Sequence, residues 1–458
     1  MKSIPSKGQS PVKKNIFLLV FFLYLLATSA DLISIEIYEF QLKLPHVIGF
    51  LIFTIFLCCK KIVIEKKLFF CFFLILSSMI ISSLKSVVIF RSLTYSLICF
   101  FSFCVYFLIP FNFMWFSEEN KILKYYVISF FIIGSYAFMQ FFFSIFGVIL
   151  PFTTQEIILA RGSAFALEPS FYALYSIPFI VFLNSKSLFL NSIQAEKTYD
   201  SLQFSASSRK WKNRFLLFFA NLFLLTSTTT TAMVSYFVFF LVLFFFPRYP
   251  FLSPCFSALR KKLWKIASIF ASIFLLSSIV FFELFKKTFL KFFYVGTIHE
   301  SFFIRFSGIF SAIQAFAENL FFGVGIGGIG PYLAEQYGIN VPLIDFFDQK
   351  SLEEREIAHL FSFEPTNVFS EILGSLGIYG LFSFCLFLIV SWKQFKSLLS
   401  HEKILLEEKT NVLALLISLI VSLACLQINQ GLFRSYIWVH IGISLGYVMK
   451  IKAKIATR

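Results

Sequence analysis

Apolar residues run along this chain in blocks of about 15 to 25, broken by short charged clusters, and a block of that length lets an α-helix cross a hydrocarbon core. Setting the blocks against the charges predicts twelve spans, over residues 15–30, 46–59, 68–84, 87–109, 125–150, 170–190, 215–226, 232–246, 266–284, 367–391, 411–428 and 432–449. The expected fold class is therefore all-α: a polytopic integral membrane protein of about twelve transmembrane helices, with residues 1–458 as a single membrane domain. The connections are uneven. Residues 285–366 make one segment of about 80 residues between spans nine and ten, far above the usual loop length, and such a loop is expected to carry function. Residues 184–214 form the longest loop on the other side, Ser-rich with a basic end, and read as topogenic only.

Composition agrees, with 58% hydrophobic and 14% charged residues. The 70 phenylalanines are read as codon bias acting wherever a large apolar side chain suffices. Charge then sets orientation. With the N-terminus inside, the cytoplasmic segments hold 29 of the 40 Lys and Arg, so both termini are expected in the cytoplasm and the long segment outside. This asymmetry and anionic headgroups account for the net charge of +16, and a nucleic-acid partner is not expected. The first apolar block follows Lys13 and Lys14 without a small-residue cleavage site and reads as a true span. All eight cysteines fall in predicted spans or on the cytoplasmic side, so no disulfides are expected. The five histidines lack ligand-like spacing, and neither metal nor cofactor is expected.

Candidate chemistry gathers on the external side. Arg161 and Glu168 flank the entry to span six, where charges beside a membrane helix are costly unless they serve a site, and Pro169 suits the first helical position. The two could equally pair with each other. Arg305 lies on an amphipathic stretch, either as a site residue or reaching to headgroups. A literal G-x-G-x-x-G at Gly325, Gly327 and Gly330 follows no strand, so it reads as a tight turn beside the membrane rather than a dinucleotide site. His359 is a possible base or a solvated loop residue, and Asn367 a possible substrate contact or helix cap. Glu364, before Pro365, is expected in an extended segment near the membrane, as a substrate contact or a plain loop residue, and Arg434 is a third cation or an end-of-span anchor.

The stretch Arg161, Gly162, Phe165, Glu168, Pro169 and Ser170 before a span, the turn from Asn319 to Gly327, and Asn367 with Gly377 and Gly380 together resemble the O-antigen polymerase and ligase superfamily over roughly residues 160–392. In the ligase branch a histidine precedes the position of Asn367; here it is Thr366, so the resemblance leans to the polymerase. Relatives often carry a Ser-Arg pair where this chain has Ser227 to Thr231, so one cationic contact is absent or supplied elsewhere.

The resemblance implies a membrane glycosyltransferase of the C type, with short amphipathic helices over a lateral opening for lipid. It implies a polymerase of undecaprenyl-pyrophosphate-linked oligosaccharide at the outer face of the bacterial inner membrane, with membrane lipids around it and a chain-length regulator as partner. Arg161 and Arg305 would hold the pyrophosphate, with Arg434 a weaker third, and Glu168 would act as base. A ligase is the alternative within enzymes. A flippase suits twelve spans, but no internal repeat is present and the notable charges gather on one face.

Overall fold

The computed structural model describes residues 11–30, 33–37, 40–58, 62–151, 163–166, 169–197, 203–227, 229–245, 299–336, 365, 367–429 and 435–457. The helices are α1 (Pro11–Ala27), α2 (Leu44–Cys58), α3 (Lys66–Leu84), α4 (Ile89–Ser102), a π-helical stretch (Phe103–Leu108), α5 (Ile109–Phe116), α6 (Glu119–Ile145), α7 (Pro169–Lys197), α8 (Gln203–Leu225), α9 (Thr230–Phe245), α10 (His299–Glu318), α11 (Ile329–Gln336), α12 (Val368–Leu399), α13 (Leu406–Asn429) and α14 (Ser435–Thr457). Among the described residues, six stretches are long and apolar enough to cross a membrane, and four shorter apolar helices accompany them. The chain is a multi-pass helical membrane protein. Eleven of the twelve predicted spans coincide with these helices, and the span at 266–284 lies outside the described residues.

Two departures have local causes. The stretch 184–214, read above as a loop, is largely helical, because α7 runs on to Lys197 and α8 starts at Gln203. Hydropathy marks where lipid ends, and Ser, Gln and Lys let a helix continue beyond it. Between spans one and two lies a hairpin absent from the all-α expectation, β1 (Ser34–Ile37) and β2 (Phe40–Lys43). Its register pairs Ile35 with Leu42 and Glu36 with Gln41, matching the alternation of apolar and polar residues in the two strands.

Lipid is as apolar as a leucine face, so helices in a membrane associate through close packing and hydrogen bonds. The outer surface exposes Phe90, Phe146, Phe215 and Phe237. Inside, small residues set the contacts. A Cβ on Gly442 would sit 2.6 Å from the Phe107 carbonyl oxygen and one on Gly446 2.9 Å from that of Phe111, so these glycines let α14 lie against the π stretch and α5. The π turn precedes Pro110, which has no N–H to offer the carbonyl four residues back and whose ring crowds it. Nearby, Tyr24 donates its hydroxyl hydrogen to the Val105 carbonyl at 2.8 Å.

The helix contacts give the bundle two distinct ends. At one, the start of α1 lies beside α5, with Phe17 stacked on Phe113 at 4.1 Å. The end of α14 arrives there too, where Lys450 pairs with Glu119 at 3.3 Å and donates to the Met114 carbonyl oxygen at 3.3 Å. The first and last described helices thus have their outer termini at one end. At the buried centre, His440 links three helices: its Nδ1 meets the Tyr126 hydroxyl at 2.9 Å and its Nε2 the Ser418 hydroxyl at 2.8 Å.

Candidate functional site

The opposite end of the bundle collects the loops that the sequence marked for chemistry. The segment from Ser163 to Ala166, between Arg161 and Glu168, is held by Gln140 of α6. Its Oε1 accepts from the amides of Ser163 at 3.2 Å and Ala164 at 2.7 Å, while its Nε2 donates to the carbonyls of Ala164 at 3.0 Å and Pro151 at 3.4 Å. All four hydrogen-bonding positions of the amide are therefore used on backbone. Ala164 sits at φ 52°, a left-handed conformation that a non-glycine residue adopts at a cost, and Gln140 stabilises it. The Phe165 ring lies parallel to that of Tyr136 at 4.7 Å. Sequence reasoning missed Gln140, although a lone amide deep in an apolar span was the available signal. Gln140→Leu is expected to leave the Ala164 backbone groups unsatisfied, lowering stability by about 2 kcal/mol or more. Thermal unfolding of the purified variant, with Gln140→Glu alongside, measures this.

The glycine turn is built into a broken helix. After α10 the chain turns through residues 319–328, with Gly323, Gly325 and Gly327 at positive φ. Opposite it, α12 is interrupted at Gly377, whose φ of 64° and ψ of −160° interrupt the helical ladder. The interruption is filled by exchange. The amides of Val324 and Gly325 donate to the carbonyls of Gly374 and Ser375 at 3.1 and 2.9 Å, and the amides of Ile378 and Tyr379 donate to those of Leu320 and Phe321 at 2.8 and 3.1 Å. Irregular backbone at membrane depth is stable only when every polar group is satisfied in this manner. Serines of the α3–α4 hairpin complete the lining. Ser82 accepts from the Gly325 amide at 2.8 Å and donates to the Ser375 carbonyl, and Ser92 donates to the Ile326 carbonyl at 2.9 Å.

The expected turn is thus present, with a helix rather than a strand before it, and it serves as a splice into α12. The Gly325 amide is engaged by Ser82 and α12, and those of Gly323 and Gly328 donate within the turn to the Asn319 and Gly325 carbonyls. The α10–α11 unit has its own small apolar core of Ala312, Ala315, Val324, Ile329 and Leu333, and α10 packs along α12. Part of the long 285–366 segment is accordingly docked onto the bundle.

Asn367 caps α12: its Oδ1 accepts from the Ser370 amide at 3.0 Å, and its Nδ2 donates to the Gln427 carbonyl of α13 at 2.9 Å. The cap reading is the one the geometry carries. Asn367→Ala is expected to cost about 1 kcal/mol, and Asn367→Asp less, since aspartate keeps the cap and loses only the tie to α13. Chemical or thermal denaturation separates the two variants.

Arg305 lies on α10, and its side chain is outside the described residues, as are Arg161, Glu168, His359, Glu364 and Arg434 altogether. Two cations that the sequence reading passed over stand at the same end. Lys85 places its Nζ 4.6 Å from the centre of the Phe322 ring, and Arg91 its guanidinium 5.7 Å from that of Tyr95. In the α8–α9 turn the Ser227 and Thr229 hydroxyls lie 3.2 Å apart and Thr229 accepts from the Ala232 amide at 3.3 Å. These hydroxyls close the turn locally.

Residues 215–385 match the family model described as O-antigen ligase. The matched segment, under half of the chain, contains the second half of α8, α9 to α11, the glycine splice and the break at Gly377. It supports the superfamily of O-antigen polymerases and ligases, whose members are glycosyl-transferring membrane enzymes, and does not separate the two reactions. No curated protein matches the sequence.

Proposed function

We propose that this membrane protein is a polymerase of lipid-linked glycan: it transfers a growing chain from undecaprenyl pyrophosphate to a hydroxyl of the next lipid-linked repeat unit. A glycosyltransferase C-type bundle in the bacterial inner membrane, with the splice end facing outward, is part of the same reading. The observation that carries it is Thr366, standing where the ligase branch has histidine, while Asn367, Gly377 and Gly380 keep the spacing. The acceptor hydroxyl attacks the anomeric carbon, the bond to pyrophosphate breaks, and the hydroxyl proton passes to a base. The leaving group already carries high energy, so the protein has to orient the acceptor, take that proton and stabilise departing charge. In this reading Arg161 and Arg305 bind the pyrophosphate bidentately, with Arg434 a third cation, and Glu168 is the base. His359 and Glu364 border the acceptor, and Asn367 fixes the start of α12 beside it.

The test is reconstitution of the purified chain in liposomes with lipid-linked single repeat units. A ladder of longer lipid-linked glycans is expected. Transfer only after a lipid A core acceptor is added would instead assign a ligase, and no product with either acceptor would favour a flippase.

A further inference from the structure

An apolar groove of about 220 Å³ lies between α3, α4, the π stretch, α12 and α14, walled by Phe72, Phe103, Phe384 and Trp438. Phe69, Phe73 and Phe100 at its edge are exposed on the outside of the bundle, so the groove opens sideways. It ends at Met79 and Cys99, short of the seam where the Ser83 and Ser96 hydroxyls meet at 2.9 Å. From Met79 it follows α3 back to Phe69, about 15 Å at the helical rise, which is the depth of one leaflet of a hydrocarbon core about 30 Å thick. Phe69 stands less than a turn from Lys66, where α3 starts, at the end of the bundle where α14 finishes.

That end carries charge to match. Phe69 and Phe73 follow Lys66 at i+3 and i+7, on one face of α3. Lys66 and Lys67 are exposed, and no carboxylate pairs with either among the described residues. The adjacent carboxylate is engaged elsewhere: Gln394 of α12 donates to the two Glu65 oxygens at 2.7 and 2.8 Å, and Lys452 of α14 donates to the Gln394 side-chain oxygen. Glu65 precedes α3 without capping it, so the first turn has no side-chain acceptor. Three of the helices that wall the groove thus meet at its lysine-rich mouth, with Lys66, Lys67 and Lys452 against Glu65.

We propose that this is a binding site for one anionic glycerophospholipid of the leaflet at the lysine-rich end, with its phosphate at Lys66 and Lys67 and one acyl chain in the groove. Charge complementarity and depth carry the assignment. Basic groups beside membrane helices recognise anionic head groups, and the uncapped start of a helix favours a phosphate. A groove one leaflet deep takes one chain, and the second chain lies along the exposed face of Phe70 and Phe73. A bound chain braces α3 against α12, the two helices that Ser82 joins at the Ser375 carbonyl beside the glycine turn. The lipid is a structural ligand at the end of the bundle opposite the splice, and the inference does not depend on which glycan reaction the protein carries out.

Native mass spectrometry of the full-length protein in detergent tests it, with phosphatidylglycerol as probe and phosphatidylethanolamine of the same acyl chains as the zwitterionic comparison. Wild-type protein is expected to retain one phosphatidylglycerol, about tenfold more strongly than phosphatidylethanolamine. Lys66→Gln with Lys67→Gln removes that preference and leaves phosphatidylethanolamine unchanged. Leu76→Trp and, separately, Cys99→Phe fill the groove and weaken retention of both lipids about tenfold or more. Either filled variant that stays monodisperse suffices, and the lysine variant, which alters exposed side chains only, decides if neither does. Equal retention of the two lipids by the wild type, an unaltered preference in the lysine variant, or unaltered retention in a filled variant would overturn the site. Displacement of phosphatidylglycerol by an equal concentration of undecaprenyl phosphate would overturn it too, by giving the groove to a polyprenyl chain.

Discussion

Gly377→Ala is expected to lose on the order of 3 to 5 kcal/mol of stability and, with it, all activity. Three costs combine at this position. Its φ and ψ lie in a region that is essentially glycine-only. An added Cβ would stand 2.5 Å from the Phe321 carbonyl carbon and 2.6 Å from the Phe322 amide nitrogen, both backbone atoms that cannot swing aside. Moving them breaks the reciprocal bonds from Val324, Gly325, Ile378 and Tyr379, leaving their amides and carbonyls unsatisfied. Gly147→Ala is the matched comparison: its φ is 75°, but nothing lies within 4 Å of the added carbon. That variant should lose only the left-handed penalty, roughly 1 to 2 kcal/mol. Thermal unfolding of both proteins in one detergent reads the difference, and equal losses would mean that the splice contributes little.

Arg161→Ala and Arg305→Ala are expected to abolish long glycan while protein level and membrane insertion persist, a loss of about 100-fold or more for removal of a group that stabilises departing charge. The lysine variants sharpen the point. If the guanidinium fork grips two phosphate oxygens, Arg161→Lys and Arg305→Lys fail as well; if charge alone matters, they retain activity. Gel-resolved glycan from cells expressing each variant, normalised to membrane-inserted protein, gives the answer. Normal chain length in both alanine variants would remove these arginines from the site.

The sequence made the architecture legible because membrane burial is a one-dimensional signal. Apolar runs located eleven of the twelve expected spans among the described residues; what they missed was the polar helix continuing beyond the lipid, as in Gln203 to Arg214 of α8, the hairpin of β1 and β2, and the helices α10 and α11 inside the long segment. The site was legible only in part. Glycines 323, 325 and 327 announced a tight turn, and Asn367 announced a cap. What they join was not readable, since the exchange with α12 pairs residues 50 to 58 positions apart. Gly377 counted as a spacing element of a motif, and its role in breaking a helix emerges only from the backbone. The partners of Gln140 and Ser82 were unreadable for a related reason: a polar residue in an apolar span shows that a partner exists, and the partner is set by packing.

The central claim is polymerisation of lipid-linked units, and its most direct test is deletion of the gene, with surface glycan resolved by size and lipid-linked intermediates extracted from the same cells. The account predicts surface material carrying a single repeat unit and no ladder, restored by the wild-type gene. Full-length polymer stranded on undecaprenyl pyrophosphate would contradict it in favour of a ligase, and single units trapped on the inner leaflet would contradict it in favour of a flippase.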